Sequence, residues 1–472
     1  MPQRPANTAQ GASSRGSGRS SSPLGGRDAR LVPGTRRVLH LDVDAFLASV
    51  EEVLHPELSG QPLVIGGMPD ERNLVMTSSY AARAYGIRPG MRLAEAARRC
   101  PHAIFRRGDA QAANRLREET AEVLLRHSPT VEISSIDDFF VDLTGTTRLS
   151  GDAFEAATRI REEVRREVGL PLTIGLATNK TLARLAGKLA KPSGVAEVLP
   201  GHERAFLAHL PVSELSGVGH TTSALLERFA VRTIGDLALA SREVLFATFG
   251  RLGLVLHERA RGRDEDPVET TCAQAEDGGL IHRPPRSIRR DSTFEPEVAR
   301  REAVEAMLCY LVERAAHRLR SHGLVCRSVE VRLTYVDTRT PSLRRAQTSG
   351  GARLKKRSAL EEPTDSTDSL WQHSKELLES LPRRRALTKR VGLSLLNLQP
   401  AGGWQGHLFN EGGEDPRRTS HADRHRRLDV ALDSLRARHG FGRILRGGSA
   451  PLGDDHDLGE DGFELRTPSL NQ

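Results

Sequence analysis

Two acidic motifs, each next to an apolar run, are the residues of this sequence best suited to chemistry. Asp137 and Asp138 precede the apolar residues 139–141, and Asp42 and Asp44 end another apolar run that begins at residue 38. Because neighbouring side chains of a strand point to opposite faces, Asp137 and Asp138 can serve one site only where the strand ends or bends. Unpaired buried carboxylates are costly, and a divalent cation commonly neutralises them. The motifs therefore predict a hard-cation site on a sheet; the alternative is a pair of edge strands whose acids face water.

The elements that must position these acids alternate between strands and helices. The periodicity predicts strands at 38–43, 62–67, 73–79, 131–143 and 171–177. It predicts helices at 46–54, 80–85, 93–99, 110–127, 152–168 and 179–191. The strand over 131–143 is expected to carry both Asp137 and Asp138. This order of elements is typical of an α+β domain.

The two motifs resemble the signatures of a known enzyme family. Asp42-Val43-Asp44-Ala45-Phe46, followed by Ala48-Ser49-Val50-Glu51, is similar to the first signature of the Y-family, or translesion, DNA polymerases. Ser135-Ile136-Asp137-Asp138 is similar to the second. The branch it resembles most is the bacterial DNA polymerase IV type, over roughly residues 37 to 445. The resemblance implies an α+β right-hand polymerase with a palm, small fingers, a helical thumb and a split β-α-β little-finger domain.

The resemblance also implies a domain order. We expect a disordered basic tail at 1–35, a palm at 36–50 and 108–200, fingers at 51–107, a thumb with a helix-hairpin-helix at 201–270, a linker at 271–286, a little finger at 287–400, and a flexible tail with a short helix at 401–472.

The implied activity is DNA-directed DNA synthesis with two Mg²⁺ ions about 4 Å apart. By resemblance, Asp42, Asp137 and Asp138 are the catalytic acids. Asp42 and Asp137 are shared ligands, the carbonyl of Val43 binds the nucleotide-side ion, and Asp138 holds the primer-side ion. The family usually has Glu at the position of Asp138. The carboxylate of Asp reaches about 1.5 Å less far, which puts the rate in doubt more than the reaction type.

The incoming nucleotide is assigned to a second set of residues, again by resemblance. These are Phe46, Leu47, Thr77, Tyr80, Arg83 and Lys191. Leu47 stands where the family has an aromatic side chain that blocks the 2′-hydroxyl of a ribonucleotide. A leucine leaves more room, which predicts appreciable ribonucleotide incorporation; the alternative is that Leu47 is ordinary helix packing.

The charge of the chain favours a polyanionic partner, which the resemblance identifies as primer–template DNA. The net charge is +8 and the pI about 9.7. Residues 281–400 hold 24 Lys and Arg against 14 Asp and Glu, a surplus of 10, so the positive field is concentrated there. Within this basic region Arg289 and Arg290 are assigned to DNA binding. Gly217 and Gly219 are assigned to a backbone clamp, although a GxG sequence is usually just a turn.

A short peptide near the C-terminus indicates a protein partner. Gln405-Gly406-His407-Leu408-Phe409 is similar to the Gln-x-x-Leu-Phe peptides that dock on the bacterial sliding clamp, with Gln405, Leu408 and Phe409 as the contacts. Gly406 departs from the commoner Leu, and short motifs also arise by chance.

Several other classes of protein are disfavoured. No apolar run approaches a membrane span, and four scattered cysteines without CxxC spacing argue against a zinc site or a disulfide framework. We expect a cytoplasmic monomer that bypasses lesions with low fidelity and has no proofreading exonuclease domain. One rival is a catalytically weak scaffold that binds DNA and the clamp. Another is a metal-dependent nuclease or cyclase, which would not need the thumb and the basic domain.

Overall fold

A computed structural model describes residues 35–71, 73–146, 148, 151–276, 279–336, 353–402, 416–441, 444–449 and 452. The predicted N-terminal tail up to residue 34 and the clamp-peptide residues Gln405, Leu408 and Phe409 lie outside this part of the chain.

The described strands include the two predicted at 38–43 and 171–177, within one residue of their predicted bounds. In chain order they are β1 (Val38–Val43), β2 (Leu63–Ile65), β3 (Thr77–Ser78), β4 (Ile104–Arg106), β5 (Val131–Ile133), β6 (Asp138–Asp142), β7 (Leu172–Ala177), β8 (Val195–Glu197), β9 (Cys272–Gln274), β10 (Leu280–His282), β11 (Ser287–Val298), β12 (Leu324–Tyr335), β13 (Arg353–Thr364) and β14 (Thr388–Pro400).

The described α-helices include the six predicted ones, each within two residues of its predicted bounds. In chain order they are α1 (Phe46–Leu54), α2 (Tyr80–Ala84), α3 (Leu93–Arg99), α4 (Ala110–Leu125), α5 (Ala153–Glu167), α6 (Lys180–Ala190), α7 (Glu203–Ala208), α8 (His220–Arg228), α9 (Ile234–Leu239), α10 (Arg242–Phe249), α11 (Arg251–Ala260), α12 (Arg301–Ser321), α13 (Thr367–Glu379) and α14 (Pro416–His439).

By their internal contacts the residues form two compact units. The first comprises the described residues up to Asp44 together with 123–132 and 138–269. The second comprises 45–122, 133–137 and the residues from 270 onward.

A five-stranded sheet in the order β5-β6-β1-β7-β8, which we call the central sheet, positions the first motif. Strand β1 is antiparallel to both β6 and β7, and β7 is buried along its whole length. Helices α5 and α6 pack on β7. Asp152 and Asn179 cap these helices by accepting backbone N–H groups at 2.9 and 3.0 Å, which explains where each helix starts.

The predicted single strand over 131–143 is wrong in one respect. It is divided into β5 and β6 by a bend at residues 134–137. The bend falls at the two acids, where the alternation of side chains required the strand to end or turn.

Helices α7 to α11 follow the central sheet within the first unit. Their apolar side chains form one buried cluster with residues of β1, β6 and α6, including Val38, Phe140, Leu182, Leu226 and Leu256. Phe229, Leu239 and Val244 are not part of this cluster and are exposed on the surface of these helices.

Three further sheets of the described residues belong to the second unit, the smallest being the two-stranded sheet β10-β9. A three-stranded sheet, β3-β2-β4, packs with α2 and α3 around Val64, Ile87 and Leu93. The predicted strand over 73–79 is mostly irregular, because Val75 bonds to the loop at Met91 instead of a neighbouring strand.

The C-terminal sheet has the order β11-β14-β12-β13 and carries α12 and α13 on one face. The four strands and two helices follow in the order β-α-β-β-α-β, in keeping with the split β-α-β domain expected from the resemblance. The predicted linker at 271–286 contains a short antiparallel pair, β9 and β10. The predicted short terminal helix is longer than expected and begins at Pro416.

Two negative findings concern the whole described part of the chain. No described helix is both long and apolar enough to cross a membrane. All four cysteines are buried as free thiols, and burial raises the pKa of Cys309 and Cys326 to about 12.

Candidate active site

Asp42 and Asp138 lie directly opposite each other on the two central strands of the first unit. The antiparallel register pairs Asp42 of β1 with Asp138, the first residue of β6. Opposite residues of an antiparallel pair point to the same face, so the two carboxylates lie side by side. Each side chain is about one fifth exposed. The pair is thus partly buried and still open to a ligand.

Asp137 occupies the bend that precedes β6. The hydroxyl of Ser135 donates to its Oδ1 at 2.5 Å, which fixes the carboxylate within the bend. Among the described residues, no three His, Cys, Asp or Glu side chains form a closed metal-binding group. Mg²⁺ sites often use only one or two carboxylates and complete their shell with water and substrate phosphates. Two facing carboxylates with oxygen ligands therefore fit a hard divalent cation.

A row of cations on α6 and just beyond it meets acids of the central sheet region. Lys180, Arg184 and Lys188 are spaced four residues apart and share one face of the helix. Arg184 Nη2 donates to Asp138 Oδ2 at 2.7 Å, and the amine of Lys191 contacts Asp42 Oδ1. Each facing carboxylate therefore has its own cation.

The other two cations of the row are also paired. Lys180 Nζ lies 2.7 Å from both carboxylate oxygens of Glu132, and the amine of Lys188 contacts Glu214. The cations of this helix could instead have formed a basic face in contact only with solvent. Because all four contact carboxylates, this alternative does not hold.

Two glycines bring α6 close enough for these contacts. A Cβ atom on Gly175 of β7 would lie 1.9 Å from the carbonyl oxygen of Ala183 and 2.3 Å from the backbone nitrogen of Gly187. A Cβ atom on Gly187 would in turn lie 3.2 Å from the nitrogen of Gly175. The helix backbone consequently packs on the strand backbone without an intervening side chain.

His40 lies beneath Asp138 and was not singled out in the sequence. Its Nε2 lies 3.3 Å from Asp138 Oδ1. Burial lowers the pKa of His40; the hydrogen bond to Asp138 opposes this effect, whereas the charges of Arg184 and Lys191 reinforce it. Burial alone would raise the pKa of Asp138, but the bond to His40 and the charges of Arg184 and Lys191 outweigh it and lower the pKa. The site thus favours a neutral imidazole and an ionised Asp138.

Asp44, the second acid of the first motif, has a structural role. Its buried carboxylate accepts the hydroxyl of Thr173 at 2.9 and 3.0 Å and the backbone N–H of Ser193 at 2.7 Å. These bonds tie the end of β1 to the segment that carries Lys191. Spacing in the sequence could not separate this role from ligation, because it depends on a contact between residues 149 positions apart.

The residues assigned to the nucleotide other than Lys191 belong to the second unit. The guanidinium carbon of Arg83 lies 4.5 Å from the ring centroid of Tyr80, and Arg83 Nε donates to the carbonyl of Ser78 at 3.1 Å. Tyr80 begins α2, whose cap is Ser79, and Thr77 begins β3. These contacts bring Thr77, Tyr80 and Arg83 onto one short strand–helix segment.

The assigned residues of α1 differ in burial. Phe46 is buried, whereas Leu47 is half-buried. Leu47 packs at the edge of a small apolar cluster formed by Ala45, Ala48, Leu58, Leu63 and Ile65.

Comparisons with known proteins identify the family from sequence and the fold from structure. The model described as impB/mucB/samB family matches residues 41–188, and the model of that family's C-terminal domain matches 285–408. A model described as DNA polymerase-iota, thumb domain, matches 213–264. Among solved structures, a Y-family DNA polymerase chimera superposes with a TM-score of 0.63 and 23% identity, covering 77% of this chain and 99% of that one. DinB from Sulfolobus solfataricus gives a TM-score of 0.51 and 24% identity, with 76% and 98% covered.

The sequence relatives are more similar than these structures. The DNA polymerase IV of Desulfatibacillum aliphaticivorans is 34% identical over 86% of this chain and 95% of its own length. That of Dehalococcoides mccartyi (strain ATCC BAA-2266 / KCTC 15142 / 195) is 32% identical over 89% of this chain and 99% of its own length. The chain belongs to the Y-family of DNA polymerases.

The predicted family and the α+β polymerase fold are thereby confirmed. The chain is a DNA-directed DNA polymerase of the DNA polymerase IV group, and primer–template DNA and nucleoside triphosphates are its substrates.

The GxG turn of this Y-family polymerase needs one of its glycines for conformation. Gly217 has φ +100°, a backbone conformation that residues with a side chain adopt only with strain. A Cβ atom there would lie 3.3 Å from Leu256. Gly219 forms the N-cap of α8 and has no neighbouring heavy atom within 4 Å of a built Cβ. The turn therefore presents backbone at its surface.

Arg289 and Arg290, which the sequence assigned to DNA binding, lie on opposite faces of β11. Successive residues of β11 alternate, so Arg289 is exposed and Arg290 is buried on the face that carries the helices. Burial, together with the charges of Arg314 and Arg318, lowers the pKa of Arg290 to about 10.

The opposite, open face of the C-terminal sheet is strongly basic. The register of β11, β14, β12 and β13 places these cations on the face of Arg289: Arg332, Arg353, Lys355, Arg357 and Arg390. The acids Asp291 and Glu330 of this face both bind Arg332, at 3.1 and 2.9 Å. The remaining cations of the open face give this Y-family polymerase a positive surface within the described residues.

Proposed function

We propose that this polymerase extends primers across damaged templates by two-Mg²⁺ nucleotidyl transfer, with Asp42, Asp137 and Asp138 as the acidic residues. The observation that carries this proposal is the cross-strand pair of Asp42 and Asp138, each balanced by a cation of α6 or the segment after it. Asp137 precedes Asp138 in the chain, and the bend redirects the strand at this point.

In this proposal the protein side chains bind and orient the reactants. When bound, the two Mg²⁺ ions activate the primer 3′-hydroxyl and neutralise the triphosphate and the departing pyrophosphate. Asp42 and Asp137 would be shared by both ions, the carbonyl of Val43 would hold the nucleotide-side ion, and Asp138 would hold the primer-side ion. The bond from Arg184 orients the Asp138 carboxylate, which is one methylene shorter than the family's glutamate.

We assign the triphosphate to Thr77, Tyr80, Arg83 and Lys191. A guanidinium can bind phosphate oxygens with two parallel hydrogen bonds, whereas an ammonium acts as a point charge. Phe46 and Leu47 lie beside the sugar in this assignment because α1 begins three residues after Val43.

The domain boundaries expected from the sequence are retained as part of the proposal. The family-model match to a thumb at 213–264 supports a thumb at 201–270, and the match at 285–408 supports a little finger at 287–400. The open face of the C-terminal sheet supports DNA binding through Arg289, and the exposed backbone at Gly217 and Gly219 supports a clamp on the DNA backbone.

Four further properties are proposed on the family's pattern. These are the absence of proofreading, a monomeric state, a cytoplasmic location, and binding of the sliding clamp through Gln405, Leu408 and Phe409.

Primer extension tests the acidic site. Asp42→Ala and Asp137→Ala should abolish Mg²⁺-dependent extension across an abasic template and leave the affinity for primer–template nearly unchanged, because both residues act on the reacting groups. The matched control is Asp142→Ala, at the other end of β6.

Extension by either Asp42→Ala or Asp137→Ala at a rate near that of the parent would contradict the assignment. Extension by the parent without any divalent cation would contradict the two-ion mechanism. If the parent extended primers on intact DNA but failed on the abasic template, only the proposed lesion bypass would be contradicted.

A further inference from the structure

Helix α14 is attached to the helical face of the C-terminal sheet domain by its acids. Asp433 accepts from Arg320 Nε at 2.7 Å and lies 2.9 Å from His317 Nδ1, both on α12. Asp429 accepts the backbone N–H of Thr367 at 3.0 Å and Arg446 Nη2 at 2.6 Å. Both acids of residues 424–441 therefore point towards the domain.

An inward arginine completes the attachment. Arg436 contacts Glu313 in a pair that is almost fully buried, and it also donates to the carbonyl of Ile444. The ring of Phe441 lies 4.1 Å from the guanidinium carbon of Arg436. The inward face of α14 is thus polar, and its charges are matched.

Over residues 424–441 the outward face of α14 carries only positive charges. With 100° per residue, Arg427 and Arg438 lie on the side of the helix opposite the inward residues. Arg424 lies next to these two arginines, and all three are exposed. Arg426 is also exposed on one flank. Over residues 424–441, where side chains of the helix region are described, no acid faces solvent. Within residues 424–441 both acids therefore face inward, and the arginines that remain exposed lie on the outward face or its flank.

The outward face of α14 points away from the open face of the C-terminal sheet. Helices α12 and α13 pack on one face of that sheet, and α14 packs on these helices. Helices α12 and α13 therefore lie between the C-terminal sheet and α14. One straight segment of duplex cannot contact both surfaces.

Helix α14 also lies outside the residues that the C-terminal family model matches. The C-terminal family model ends at residue 408, and the helix begins at Pro416. The surface of α14 is therefore not part of the domain that this family model describes.

We propose that the outward face of α14 is a second DNA-binding surface, which contacts the phosphates of a DNA segment separate from the primer terminus. Arg424 and Arg438 are about 21 Å apart along the helix axis. A duplex presents about twelve phosphates over that length, so the arginines can each reach one. This surface goes beyond the proposed polymerase function, since it takes no part in nucleotidyl transfer.

The pattern of apolar residues favours DNA over a membrane surface. A helix that lies on a membrane needs one continuous apolar face. The exposed aliphatic residues Leu428 and Leu435 lie on one flank of α14, whereas Val430 lies on the other, and the arginines lie between them.

Binding of a second duplex tests the proposal. The active site is first saturated with a short unlabelled primer–template, and a fluorescent blunt duplex of about 20 base pairs is then titrated at low salt. The parent should bind this duplex. The triple variant Arg424→Gln, Arg427→Gln, Arg438→Gln should bind it about tenfold more weakly, with a salt slope smaller by about 2 to 3, because each phosphate contact contributes roughly 0.9 to the slope. Gln preserves the helix.

The reciprocal control is Arg289→Gln, Arg353→Gln, Lys355→Gln on the open face, which should weaken primer–template binding and leave capture of the second duplex unchanged. Primer extension by the α14 variant should equal that of the parent. Failure of the parent to bind the second duplex, or equal binding by parent and α14 variant, would overturn the proposal. The proposal would also be overturned if the α14 variant alone lost binding to anionic vesicles, or lost self-association, while its binding to DNA equalled that of the parent.

Discussion

Asp42 and Asp138 each lie against a cation, so a divalent ion that binds these carboxylates competes with a side chain already in contact. Arg184 donates to Asp138 at 2.7 Å, and the amine of Lys191 contacts Asp42. A carboxylate that binds a metal ion has fewer oxygen lone pairs left for a cationic side chain. We infer that ion binding weakens both pairs and that Lys191 is then free to contact the triphosphate.

Replacing Arg184 should make Mg²⁺ bind more tightly. Arg184→Gln removes a positive charge that contacts a ligand carboxylate, and a partly exposed pair of this kind is worth about 1 kcal/mol, which is about fivefold in affinity. The Mg²⁺ concentration that half-saturates primer extension should fall by that factor, and direct Tb³⁺ luminescence titration should show the same change. Lys188→Gln is the control, because its amine contacts Glu214 instead. An unchanged ion requirement in Arg184→Gln would show that the pair does not compete with the metal.

Sugar selection is the second property that depends on one residue. Leu47→Phe should raise the preference for deoxyribonucleotides, since a flat ring extends further than the half-buried leucine. The measurement is the ratio of kcat/KM for the two sugars in the parent and the variant. Leu54→Phe, at the other end of α1, is the matched control. A strong parental preference for deoxyribonucleotides that Leu47→Phe leaves unaltered would exclude Leu47 as the gate.

The contact between α6 and β7 positions all four cations of the row. Gly175 and Gly187 form this contact, and neither tolerates a side chain without a shift of backbone. Any outward movement of α6 would withdraw Arg184 from Asp138. Packing of backbone against backbone at this point therefore controls the geometry of the acidic site.

Gly175→Ala should destabilise the protein by about 3 kcal/mol, because an added methyl group would overlap the carbonyl of Ala183. Urea denaturation measures the change in the free energy of unfolding. Gly402→Ala should have little effect, since no heavy atom lies within 4 Å of its built Cβ. Equal stability of Gly175→Ala and the parent would mean that α6 can shift without cost.

The sequence predicted the bounds of these elements better than it predicted which other elements they contact. Periodicity located β1, α1 and α6 because it reflects burial along one segment. The bend at 134–137 depends on pairing with β1, and the burial of Arg290 depends on which face α12 covers. Helix α14 was predicted too short because its inward face is held by Asp429, Asp433 and Arg436, which give no apolar periodicity.

Charge at the scale of the whole molecule is distributed unevenly. Residues 281–400 carry a surplus of 10 positive charges, while the whole chain carries +8. The register of the C-terminal sheet directs six of these cations to its open face, where two acids are bound by Arg332. The affinity for primer–template should consequently depend steeply on salt and little on sequence.

Neutralising the open face should reduce that salt dependence in proportion to the number of cations removed. The variant Arg289→Gln, Arg353→Gln, Lys355→Gln removes three exposed cations of this face, so the slope of log K against log salt should decrease by about 2 to 3. Fluorescence anisotropy of a labelled primer–template between low and moderate salt measures the slope. The control removes the same charge from the same domain at Arg383→Gln, Arg384→Gln, Arg385→Gln, which lie exposed before β14. If the control reduces the slope as much as the open-face variant does, DNA affinity follows net charge alone, and the open face is not the surface that binds the duplex.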